Sequence, residues 1–146
     1  MNTHMKILLV DDELGILEAL KTHLELEGYT VDCASSAAQA IELFTKYAYP
    51  IVVTDINMPV MDGLGLLEEL KKIRGDTTVI MMTAYTSLTK VLMSRIHGAF
   101  DYILKPFKDL DEITYVLDRA KNLILRWDEI LSETKEAKNI AKHTIS

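Results

Sequence analysis

Five short apolar runs alternate with segments whose apolar residues recur at intervals of three and four, and this alternation constrains the chain more than any other feature. The runs are Lys6 to Val10, Thr30 to Ala34, Ile51 to Thr54, Val79 to Met82 and Tyr102 to Leu104, most of them rich in β-branched residues. Each reads as a buried strand. The intervening segments carry Leu17, Leu20 and Leu24, then Ala40, Ile41 and Phe44, then Leu66, Leu70 and Ile73, then Val91 and Ile96, at helical spacing. Punctuation agrees: Ser36 to Gln39 reads as a capping box, Asp62 can cap the third helix, and Gly28 and Gly98 stand where helices should stop. Strands separated by helices pair in parallel through right-handed crossovers, which predicts an α/β three-layer sandwich. Both faces of such a sheet are covered, so its strands are continuously apolar rather than alternating.

With 146 residues, 49% of them hydrophobic, the chain can build one such core. Its net charge of -6 is the wrong sign for wrapping a phosphate backbone, so direct nucleic-acid binding is not expected. Cys33 is the lone cysteine, and His4, His23, His97 and His143 show no metal-ligand spacing, so neither a disulfide framework nor a structural zinc site is expected. Cys33 reads as inert core, and His23 and His97, placed on helices, receive no function. No apolar run approaches the ~20 residues of a membrane span, and the start of the chain is too short and polar for a signal peptide. The expectation is a cytoplasmic protein.

In a parallel sheet of this kind ligands bind at the carboxyl ends of the strands, and the residues there are polar. Asp11 and Asp12 follow the first strand, and Asp55 follows the third. In the strand order 2-1-3-4-5, common for five-stranded versions of the fold, these carboxylates converge on one crevice. Crowded carboxylates repel and raise one another's pKa unless a cation joins them, and an oxygen-only ligand set favours Mg²⁺. Thr83 closes the fourth strand with a hydroxyl, and Lys105, followed by Pro106, closes the fifth with an ammonium. Carboxylates, a hard cation, a hydroxyl and a lysine suit the transfer of a phosphoryl group to a carboxylate. A single Asp after a strand is ordinarily a turn or cap residue; here five polar groups fall at the ends of four strands in the right order.

The run Asp55, Ile56, Asn57, Met58, Pro59, Val60, Met61, Asp62, Gly63, taken with Asp11 and Asp12, Thr83 and Ala84, and Gly98 through Phe107, resembles the receiver domain of bacterial response regulators in two-component phosphorelay signalling. The resemblance covers residues 5–122. It implies a flavodoxin-like receiver fold with Asp55 as phosphoacceptor. It implies a Mg²⁺ site of Asp12, Asp55 and the Asn57 carbonyl, with Asp11 acting by charge and through a water. Thr83, Ala84 and Lys105 would stabilise the phosphoryl oxygens, the Lys105–Pro106 bond would be cis, and Thr83 and Tyr102 would form a switch pair. The donor would be a phosphohistidine on a sensor histidine kinase or phosphotransfer protein. Asn57 and Tyr85 would flank the approach of hydrolytic water, the bulk of Tyr85 slowing it. Such a domain is not a turnover enzyme; it promotes only its own phosphotransfer and autodephosphorylation.

Two other functions share parts of this pattern. A Mg²⁺-dependent phosphatase or phosphotransferase of haloacid-dehalogenase type also uses an Asp nucleophile, but needs a second Asp two residues on as general acid. Here that position is Asn57, which cannot deliver a proton. A receiver-like module acting by binding alone is the remaining alternative; both glycine-rich nucleotide loops are missing from the sequence.

Residues 123–146 are expected to form a helical extension or linker. No Gly or Pro occurs from Lys108 to Ser146, and Ile113, Val116 or Leu117, Ala120, Leu123 or Ile124, Trp127, Ile130 or Leu131, Thr134 and Ala137 alternate spacings of three and four. This is a seam of coiled-coil type, weakened at Thr134. An extension from Leu123 to His143 would project ~30 Å past the domain. Homodimerisation is expected through this helix or through the fourth and fifth helices.

Overall fold

The computed structural model describes residues 5–84 and 88–145. The element order is β1 (Lys6–Val10), α1 (Leu14–Leu26), β2 (Thr30–Ala34), α2 (Ala37–Lys46), β3 (Ile51–Asp55), α3 (Gly63–Ile73), β4 (Thr78–Thr83), α4 (Leu88–Ile96), β5 (Asp101–Leu104) and α5 (Leu110–Ile145). All strand pairs are parallel, in the order β2-β1-β3-β4-β5. The alternation in the sequence thus gives the flavodoxin-like receiver fold that the resemblance implied, with strand limits differing by a residue at a few ends.

Side chains of β1 divide between the two faces with the period of two that a strand imposes. Ile7 and Leu9 join Leu17, Leu20 and Leu24 of α1 and Ile113, Leu117 and Ala120 of α5. Leu8 and Val10 join Ala40 and Phe44 of α2 and Leu66, Leu67 and Leu70 of α3. Two half-cores sandwich the sheet, and every residue of β3 is buried. No helix among the described residues is long and apolar enough to cross a membrane.

The helix ends follow local chemistry. Ser36 caps α2 by accepting from the Gln39 N–H, and Asp62 caps α3 by accepting from the Gly65 N–H. The capping box closes one residue early, because the Gln39 side-chain oxygen accepts from the Ser35 N–H and hydroxyl rather than from Ser36. Gly28 and Gly98 both adopt φ of +97°, the left-handed conformation that ends a helix without a Cβ penalty.

Three expectations are corrected. In α4 the residue turned wholly inward is Ser94, whose hydroxyl bonds the Val91 carbonyl and the Tyr102 hydroxyl, whereas Ile96 is exposed. Cys33 is only partly buried, as befits an outer strand, and burial raises its thiol pKa. His97 lies just beyond α4, 3.3 Å from Glu68 of α3.

Helix α5 runs 36 residues without interruption. Its seam is buried from Ile113 to Ala120 and then emerges, leaving Trp127 56% and Leu131 62% exposed. Beside it a groove of about 640 Å³ is lined by Lys71, Thr77, Phe100, Trp127 and Leu131, among others.

Candidate functional site

Strand register assembles the site. Val10 pairs with Thr54, so Asp11 and Asp55 leave neighbouring strands at the same level. Thr83 pairs with Leu104, and the Lys105 N–H donates to the Thr83 carbonyl at 2.8 Å, which sets Lys105 beside the end of β4. One carboxylate oxygen each from Asp11, Asp12 and Asp55 comes within 4.8 Å of the other two. Asp11 and Asp55 are buried and Asp12 is exposed. Buried acidic oxygens opening onto solvent at one point suit a hard dication such as Mg²⁺, which keeps part of its water shell.

Lys105 counters this charge. Its Nζ lies 2.7 Å from Oδ2 of Asp11, 3.3 Å from Oδ2 of Asp55 and 4.0 Å from Oε1 of Glu13. Burial pulls the Lys105 pKa down, but the Asp11 hydrogen bond and charge, with help from Asp55, outweigh it and hold the ammonium above its ordinary value. Asp55 is pushed upward, first by burial and then by Asp11, while Lys105 and the Asn57 N–H work against the rise. That N–H donates to Oδ1 of Asp55 at 3.3 Å. The phosphoacceptor candidate is thus a carboxylate lacking its full complement of positive charge.

Around this centre Thr83 is buried and donates its hydroxyl to the Ala84 carbonyl at 2.8 Å. The Lys105–Pro106 bond is cis. Tyr102 is half-buried against the α2/α3 half-core, its hydroxyl donating to the Val91 carbonyl at 3.2 Å and accepting from Ser94 at 3.1 Å. The structure therefore joins Asp11, Asp12, Asp55 and Lys105 directly, brings Asn57 in through its backbone, and ties Tyr102 to α4. Tyr85 lies outside the described residues.

Three supporting residues escape a reading by residue type. Gly63 packs its Cα against the backbone carrying Asp55: an added Cβ would stand 2.2 Å from the Asp55 carbonyl oxygen and 2.8 Å from the Ile56 Cα. Its N–H also donates to the Ile56 carbonyl at 2.8 Å. Lys90 of α4 pairs with Asp62 at 3.1 Å, tying the α3 cap to α4. The Glu13 N–H donates to Oδ1 of Asp11 at 2.9 Å and fixes that carboxylate. The signals for Gly63 in the sequence are its place directly after a cap residue and at the end of the run from Asp55 that carries the family resemblance.

Comparison with known proteins agrees with this geometry. The family model described as the response regulator receiver domain matches residues 7–118. The chain is 40% identical over 118 residues to the regulatory protein AtoC of Escherichia coli, covering 81% of this chain and 25% of that protein. It is 40% identical over 125 residues to the probable transcriptional regulator ycf27 of Porphyra purpurea, covering 84% of this chain and 51% of that one. It therefore spans a quarter to a half of the curated relatives it matches. The crystal structure of a response regulator receiver domain protein from Clostridium thermocellum superposes with a TM-score of 0.80 at 33% identity, covering 84% of this chain and 98% of that one. Fold, strand-end carboxylates and sequence similarity together make this chain a member of the response regulator receiver domain family of two-component signalling systems.

Proposed function

We propose that Asp55 accepts a phosphoryl group from a phosphohistidine on a sensor histidine kinase or phosphotransfer protein. The observation that carries this reading is the buried Asp55 carboxylate, raised in pKa, which shares the Lys105 ammonium with Asp11. An Asp55 oxygen attacks phosphorus in line, the new O–P bond forming as the N–P bond to imidazole breaks. Lys105 then exchanges its Asp55 contact for a phosphoryl oxygen, and the Thr83 hydroxyl leaves the Ala84 carbonyl to donate to another, with the Ala84 N–H taking the third. Asp12, Asp55 and the Asn57 carbonyl hold Mg²⁺, with Asp11 contributing charge. When bound, that ion neutralises negative charge on the transferring group.

Tyr102 is the second half of the switch. Movement of the Thr83 hydroxyl empties space beside β4, and the Tyr102 ring turns further into it, giving up Val91 and Ser94 and so altering the α4 surface. Output passes through that surface, through two chains pairing along α5 or along α4 and α5, or through a domain joined to residues 5–122 by the helical extension 123–146. We place the protein in the cytoplasm, where the kinase's phosphohistidine is available. The phosphatase reading has no support, since Asn57 stands where the general acid is required.

Intact mass after incubation with Mg²⁺ and acetyl phosphate tests the reading. One phosphoryl adduct, labile at alkaline pH and missing from Asp55→Asn and from a chelated sample, is expected. An adduct that persists in Asp55→Asn would overturn it.

A further inference from the structure

A second group of ligand atoms, sharing no residue with the phosphoryl site, converges on the seam between α1 and α5. One atom each of His23, Glu27 and Asp111 lies within 4.8 Å of the other two. We propose that these three residues bind a transition-metal dication of the Zn²⁺ kind. His23 and Glu27 are four residues apart on one face of the α1 end, the spacing that lets two side chains reach one ion, and Asp111 approaches from the first turn of α5.

The imidazole is already aimed. Its side chain is only 17% exposed, and Nε2 lies 2.8 Å from Oγ1 of Thr114 and 4.0 Å from Oδ1 of Asp111, so it faces α5. Ligand atoms on four-coordinate Zn²⁺ stand about 3.4 Å apart, given bonds of about 2.0–2.2 Å. Glu27 and Asp111 are exposed, and rotamer changes close the remaining distance. Thr114 has an alternative when the ion takes the Nε2 lone pair. A helical threonine can donate to the carbonyl four residues back, as Thr45 does to Ile41 at 2.7 Å and Thr134 to Ile130 at 2.8 Å.

Donor chemistry separates this site from the acidic crevice. One imidazole and two carboxylates suit Zn²⁺, whereas the all-oxygen set of Asp11, Asp12 and Asp55 suits Mg²⁺. Two carboxylates neutralise the dication, and water completes the coordination. Histidine spacing in the sequence could not show such a site, because Asp111 belongs to the far end of the chain. An ion here bridges α1 and α5 and binds only the folded chain, so it adds stability.

The test titrates Zn²⁺ into the full chain in saturating Mg²⁺, following the His23 ring by NMR and unfolding by heat. The His23 ring resonances are expected to shift, with a rise in Tm. Glu27→Gln and Asp111→Asn, both at exposed positions, are each expected to weaken Zn²⁺ binding by about tenfold or more, since a direct ligand matters at least as much as a residue that only orients one. A His23 ring that does not respond to Zn²⁺, or an affinity unchanged in both variants, would overturn the proposal.

Discussion

Lys105 holds its ammonium 2.7 Å from an Asp11 carboxylate with no solvent exposure at all. The same nitrogen lies 3.3 Å from Asp55. One cation therefore compensates two buried anions, and the site keeps a surplus of negative charge.

Removing that cation should expose the surplus. Lys105→Ala leaves two buried carboxylates with backbone N–H donors but no countercharge, and breaking such an arrangement costs about 3 kcal/mol. Urea unfolding should show that loss without metal and a partial recovery with Mg²⁺. Equal stability of variant and parent in metal-free buffer would mean that Lys105 does not balance the carboxylates.

Asp55 should make stability fall as pH rises. Its folded pKa is raised, chiefly by burial, so the folded chain holds this proton more firmly than the unfolded chain. The stabilisation is fully present below the ordinary aspartate pKa of about 3.9 and is lost as pH climbs through the folded value. Without metal, Asp55→Asn should be more stable than the parent at neutral pH, the advantage shrinking on acidification. Urea midpoints measured across that range decide it; an advantage that grows toward low pH would contradict the sign.

Gly63→Ala places a methyl group 2.2 Å from the Asp55 carbonyl oxygen, which is backbone and cannot swing aside. Overpacking of this kind costs about 3 kcal/mol. Chemical denaturation should show that loss, and the intact-mass assay a weaker phosphoryl adduct. Parental values in both would mean the loop relaxes around the methyl group.

The exposed seam on α5 predicts self-association. Trp127 and Leu131 continue the line of Ile113, Leu117 and Ala120 after it leaves the core. Sedimentation should show a dimer weakened by truncation after Asn122 or by Trp127→Glu. A monomer at high concentration with Mg²⁺ and a phosphoryl mimic would exclude pairing through this helix.

Features governed by local periodicity were legible in the sequence. The strands and their parallel pairing follow from apolar runs separated by helices; the order 2-1-3-4-5 is the common one for this fold, and given that order the residues at the strand ends, Asp11, Asp12, Asp55 and Lys105, converge. Asp62 as a cap and the glycine stops follow from backbone chemistry. What stayed hidden depends on how distant segments meet. Ser94 reads as a surface residue by type, yet it is the buried anchor of α4 because Tyr102 waits opposite its hydroxyl. Gly63 is needed for a close approach to Asp55 that exists only once the loop after β3 folds back. The partners of His23 lie on α5, which no spacing rule along α1 could find.

Helix α5 has one end packed beside β5 and the other beyond the domain, with no Gly or Pro to bend it. Such a rod works as a lever whose fulcrum is the buried stretch from Ile113 to Ala120. At 1.5 Å per residue, the ~30 Å beyond Leu123 converts a tilt of about ten degrees into a sweep of about 5 Å at the tip. A rearrangement too small to disturb the core can therefore become a displacement large enough to make or break contact with whatever the helix carries.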